Sequence, residues 1–130
     1  LRAQLERDPF NINVRLMYSS ALEAAGKLGD SLKILEDTVD KARRNLGVTY
    51  FQVADKLMNR KRPEDSLRTY DMAIEADPSN ASFYLSGKAA ALKALGLHEK
   101  AKAIYAQLVA QPGLAKTTRR IAVDELKKLI

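Results

Sequence analysis

Three observations predict an all-α fold for this chain, arranged as a right-handed α-solenoid of about three antiparallel helical hairpins closed by a C-terminal capping helix. The first is a fixed period. Ser31, Ser66 and Ala101 stand 35 residues apart, as do Leu35, Tyr70 and Tyr105, then Thr38, Ala73 and Leu108, then Val39, Ile74 and Val109. Each set is of one physical type. A small residue, a large one four places on and apolar residues a turn beyond share one face of a helix. The second is a stripe ahead of those sets: Tyr50, Val53, Ala54 and Leu57, and in the next unit Leu85, Ala89 and Leu92, recur at helical spacing and predict a core-facing first helix. The third is turn chemistry between the two helices of each unit, at Gly26 to Gly29, Arg60 to Pro63 and Leu95 to Leu97. Glycine supplies a left-handed helix end, and proline suits the first position of the helix that follows.

Taken in order, these signals divide a single domain, 1–130, into five parts. The opening LRAQLERDP reads as the tail of a helix, so residues 1–9 are assigned to the end of a preceding repeat and the chain is expected to belong to a longer protein. Residues 10–44 form the first repeat, 45–79 the second and 80–113 the third, with a capping helix over 114–130. Asp77-Pro78 ends the second repeat, because the residue before proline resists helical conformation. The boundary before it is expected to turn on Asn45 and Gly47. In the second repeat Pro63 opens a helix whose first turn carries Glu64 and Asp65, acids suited to its positive end. In the last segment Thr117 or Thr118 is expected to cap the helix, and Ala122, Leu126 and Leu129 make the stripe that covers the last repeat.

Composition narrows the function class. Hydrophobic residues make up 46% and charged residues 29% of the chain, the balance of an ordinary folded domain. No apolar run is long enough to cross a bilayer, and the supplied residues contain no targeting signal, so the localisation is left unknown. The absence of cysteine removes disulfides, thiol chemistry and Cys-based metal sites. A net charge of +6 invites an acidic partner. Its distribution argues otherwise: Lys41, Arg43 and Arg44, then Arg60 to Arg62, then Lys116, Arg119, Arg120, Lys127 and Lys128 gather near expected helix ends or on the last helix, where cations offset the helix dipole.

PEDSLRTYDMAIEADP, with Ser66, Tyr70, Ala73 and Pro78, and GLHEKAKAIYAQLVAQP, with Gly96, Ala101, Tyr105 and Pro112, are similar to the second helix of the tetratricopeptide repeat. The resemblance covers roughly residues 1–113. It implies paired antiparallel helices per unit and a concave surface lined by the first helix of each. Stacked units share a core that no single hairpin can build, and about three are needed for stability. On that surface the expected partner-binding residues are Asn13, Leu16, Met17 and Ser20 in the first unit. Phe51, Gln52, Asp55, Met58 and Asn59 follow in the second, and Phe83, Ser86 and Lys93, with Ala90, in the third. Apolar patches with a few hydrogen-bonding groups suit a helix or extended segment of another protein. Family members that grip a chaperone's terminal carboxylate do so with lysine, asparagine and arginine on these faces. The corresponding places here hold Leu16 and Ser20, Gln52, and Phe83 and Gly87, so that use is disfavoured.

No catalytic arrangement is expected. The single histidine, His98, falls at a turn beside Glu99 and Lys100, and the paired acids Glu36-Asp37, Glu64-Asp65 and Asp124-Glu125 point about 100° apart on a helix. The chain has no glycine-rich phosphate loop and no clustered metal ligands, so neither cofactor nor metal is expected. The reading is a non-catalytic scaffold or adaptor for protein–protein interaction. The alternatives are an RNA-binding helical repeat of the pentatricopeptide kind, which the same 35-residue spacing admits, and a module for self-association or for contact with another domain of the same longer chain. Asp55 in the middle of the groove counts against RNA, which needs basic groups to neutralise phosphates.

Overall fold

The computed structural model describes residues 11–130, so the segment assigned to a preceding repeat, 1–9, lies outside the described residues. Among the described residues the structure is helical and has no strand: α1 Ile12–Ala24, α2 Leu28–Asn59, α3 Pro63–Ala76, a 3-10 turn at Pro78–Asn80, α4 Ala81–Ala94, α5 His98–Ala110 and α6 Lys116–Leu129. The chain divides into two compact units, meeting in sequence at Asn45 and Leu46.

In the first unit α1 opens on Asn11, whose side-chain oxygen accepts the Val14 N–H at 3.1 Å, satisfying one of the unpaired donors of the first turn. It ends at Gly26, with φ +77, where the Lys27 N–H reaches back to the Leu22 carbonyl at 2.8 Å. That is a left-handed helix end of the expected kind. Gly29, however, lies inside α2 and not in the turn, which needs only residues 25 to 27. The hairpin closes on polar contacts. The Ser19 and Ser31 hydroxyls are 2.7 Å apart, and the buried Arg15 guanidinium donates to Asp37 at 2.8 Å and to Thr38 at 3.5 Å. Thr38 in turn donates to the Ile34 carbonyl at 2.6 Å.

The turn expected at Asn45 and Gly47 is absent: α2 runs through it without interruption for 32 residues. Asn and Gly each cost a helix at most about 1 kcal/mol relative to alanine, while the flanking Arg43, Arg44 and Leu46 are good helix formers. Gly47 has another use. A Cβ there would fall 2.5 Å from the Tyr84 hydroxyl and 2.7 Å from the Asp77 Cβ, so the glycine allows a close approach within the second unit. Leu35 and Val39 are exposed, whereas their counterparts Tyr70 and Tyr105 are buried and Ile74 and Val109 half-buried.

In the second unit the remainder of α2 packs on α3, α3 on α4, α4 on α5 and α5 on α6. Small residues set the close contacts. Ala54 and Ser66 are fully buried and the Ser66 hydroxyl donates to the Ala54 carbonyl at 2.8 Å, while Ala89 and Ala101 are buried in the core that also holds Leu92, Tyr105, Leu108 and Ala122. Of the stripe expected on α2, Ala54 is buried and Tyr50 and Leu57 are half-buried, but Val53 is exposed. Pro63 occupies the first position of α3, with Glu64 and Asp65 in its first turn, as expected. The turn before it is made by Lys61 at φ +59, and the turn before α5 by Gly96 at φ +78. Gly26, Lys61 and Gly96 thus fill the left-handed position of three turns 35 residues apart.

Asp77 does more than end α3. Its carboxylate is buried and accepts from the Tyr84 hydroxyl at 2.7 Å, from the Asn80 amide at 2.9 Å and from the Ser79 hydroxyl at 3.2 Å. A buried carboxylate is tolerable only with such partners. At α6 the expected threonine cap is not used: the cap position is Ala115, with no side-chain hydrogen bond, and both threonines lie inside the helix. The Arg119 side chain donates instead to the Gln111 carbonyl at the end of α5. Ala122 is buried and Leu126 and Leu129 pack against the α4–α5 core, so α6 covers it. No helix among the described residues is long and apolar enough to cross a membrane.

Candidate binding groove

The second unit contains an open groove of about 780 Å³. Its first wall is α2, which contributes Phe51, Asp55, Met58 and Asn59, with Tyr70 of α3 behind them. These four α2 residues recur at i, i+4, i+7 and i+8 and so share one helix face. The floor is α4, with Ser86, Gly87, Ala90, Lys93 and Ala94; the far wall is Tyr105 and His98 of α5 with Ile121 and Glu125 of α6. Gly87 is required there, since a Cβ would lie 2.4 Å from the Tyr70 ring.

The aromatic residues at the first wall are held by one another. The Phe51 ring lies 5.8 Å from Tyr70, 4.8 Å from Phe83 and 5.9 Å from Tyr84, and Phe83 meets Tyr84 edge-on at 5.5 Å. Such tilted pairs are the favoured arrangement of ring quadrupoles. The polar groups are held as firmly. The buried Tyr70 hydroxyl donates to the Asp55 carboxylate. Burial and then that carboxylate raise the Tyr70 pKa above its ordinary value. Tyr105 is pushed up to about 12, by burial first and by the Glu125 charge second. Glu125 accepts from Lys93 at 2.9 Å and from Lys128 at 3.2 Å, and the Lys93 hydrogen bond above all holds its carboxyl below the usual range.

Six of the twelve residues expected to bind a partner are brought together in this groove: Phe51, Asp55, Met58, Asn59, Ser86 and Lys93. Gln52 and Phe83 are exposed outside its lining, Phe83 stacked on Phe51. Asn13, Leu16, Met17 and Ser20 are exposed on α1 in the first unit. Sequence reasoning missed the contributions of Tyr70, Tyr105, Ile121 and Glu125. Both tyrosines are buried in core clusters and at the same time line the groove. Ile121 and Glu125, four apart on α6, carried a recognisable signal, a second face beside the Ala122 stripe.

His98 is exposed at the start of α5 and lines the groove mouth. The described residues contain no cluster of three or more His, Cys, Asp or Glu side chains placed to hold a metal ion. Comparison of the chain with protein-family models, with curated proteins and with solved structures gives no match.

Proposed function

We propose that this chain is a non-catalytic scaffold of the tetratricopeptide kind, its hairpins arranged as a right-handed solenoid, that binds a segment of another protein in the groove of its second unit. The observation that carries the reading is the makeup of that groove: an apolar lining of Phe51, Met58, Ala90 and Ile121 beside polar groups already fixed by Tyr70–Asp55 and Lys93–Glu125 contacts. Apolar anchors with a few oriented polar groups are what a peptide or helix face requires. The repeat reading is supported by the buried small residues Ser31, Ser66 and Ala101 and by the left-handed turns at residues 26, 61 and 96. Asp55 and Glu125 in the groove weigh against a nucleic-acid backbone, which would meet carboxylates where it needs cations.

Ala90 lines the groove without belonging to either buried cluster, so Ala90→Gln fills the groove with a neutral side chain and spares the core. The expected outcome of a capture experiment is a protein retained by the wild type at low and high salt and lost from the folded Ala90→Gln variant. Retention of RNA alone, at low salt only and indifferent to the substitution, overturns the reading.

A further inference from the structure

The groove of the second unit has a charge opposite in sign to that of the chain. The chain carries +6, whereas the groove lining sets two carboxylates, Asp55 and Glu125, against one ammonium, Lys93, with His98 at the mouth. The two acids are not equivalent. Glu125 is answered by Lys93 at 2.9 Å and by Lys128 at 3.2 Å. Asp55 is exposed, takes its hydrogen bond from the neutral Tyr70 hydroxyl and makes no ion pair among the described residues. Its own helix supplies no cation. The places three and four residues to either side, where an ion pair would form, hold Gln52, Phe51, Met58 and Asn59.

Apolar groups stand on both sides of this charge. Phe51 and Met58 share a face of α2 and lie about 10 Å apart along the helix axis, with Asp55 between them. Ile121 adds an apolar group on the far wall. An occupant of the groove displaces water from Asp55, and a carboxylate that loses water without gaining a counter-charge opposes binding. An uncharged or acidic occupant meets that penalty; a basic one removes it. Resting on the groove reading above, we infer that the occupant is a basic segment of another protein, one that sets a lysine or arginine against Asp55 between apolar side chains seated on Phe51 and Met58. The charge selects the partner and the apolar contacts hold it.

Selection of a displayed library of random peptides on the whole chain tests this. The expected result is a set of peptides enriched in lysine or arginine between apolar residues. Replacing that basic residue by glutamine in a selected peptide should weaken binding to the wild type several-fold and leave binding to Asp55→Asn unchanged, as read by fluorescence anisotropy. Asparagine keeps an acceptor for the Tyr70 hydroxyl, so this variant retains the fold, which its melting temperature verifies. Peptides that lose binding to Ala90→Gln but show no basic enrichment overturn the inference and leave the groove reading standing. So does a basic residue that matters equally to the wild type and to Asp55→Asn. Peptides that bind Ala90→Gln as well as the wild type, or a selection that yields none, overturn the groove reading and the inference with it.

Discussion

Lys61 stands at φ +59 in the turn between α2 and α3, where Gly26 and Gly96 serve the corresponding turns. A left-handed conformation costs a side-chain-bearing residue roughly 1 to 2 kcal/mol, against the roughly 0.5 to 1 kcal/mol that glycine forfeits in backbone entropy. Lys61→Gly should therefore stabilise the protein by about 0.5 to 1 kcal/mol, read as a higher urea midpoint at unchanged slope. A lower midpoint would show that the lysine makes contacts outweighing its backbone strain. The basic triplet Arg60 to Arg62, read from the sequence as the turn between two helices, serves as that turn, with Arg62 also paired to Asp65 at 2.5 Å. At the same scale, Arg15 was unexpected as a core residue. It is buried because Asp37 and Thr38, more than twenty residues away in sequence, supply its hydrogen bonds.

At the scale of the helix, α2 is where expectation and structure part. Asn45 and Gly47 have the composition of a turn, yet residues 44 to 47 are helical. The composition signal is worth about 1 kcal/mol, and packing of Gly47 beneath Tyr84 and Asp77 is enough to override it. Native-state hydrogen exchange separates the two outcomes. Amides of Asn45 to Thr49 should be protected to the same degree as those of Thr38 to Ala42; rapid exchange confined to 45–48 would restore the turn. The remaining helix limits were legible because their signals are local and concordant: proline at the start of α3, acids in its first turn, glycine at the ends of α1 and α4. The expected α6 cap, Thr117 or Thr118, lies two or three residues past the observed cap position at Ala115, which has no side-chain hydrogen bond, while a long-range contact, Arg119 to the Gln111 carbonyl, ties the start of the helix to the end of α5.

For the molecule as a whole, pH dependence follows from the groove tyrosines. Burial, helped by the Glu125 charge, raises Tyr105 to about 12 in the folded protein against about 10 in the unfolded chain. Between those values the folded state holds a proton that the unfolded state has lost, so stability is fully present below pH 10 and falls as pH rises toward 12. Tyr70, raised in the same direction, adds to the loss over a window that begins at the same point. Thermal unfolding across that alkaline range should show a steeper decline for the wild type than for Tyr105→Phe, which has no phenol to titrate. Equal slopes would mean that Tyr105 ionises as it does in the unfolded chain.

The sequence by itself determined that the chain is helical, where most helices begin and end, which small residues meet inside each hairpin and half of the groove lining. These depend on period, caps and turns, which are local properties of the chain. Only the tertiary structure decided that α2 continues through residues 44 to 47, that α6 supplies a groove wall, and that Tyr70 and Asp55, fifteen residues apart, share a hydrogen bond. Those outcomes rest on contacts between distant residues, whose packing free energies exceed the local preferences that a sequence displays.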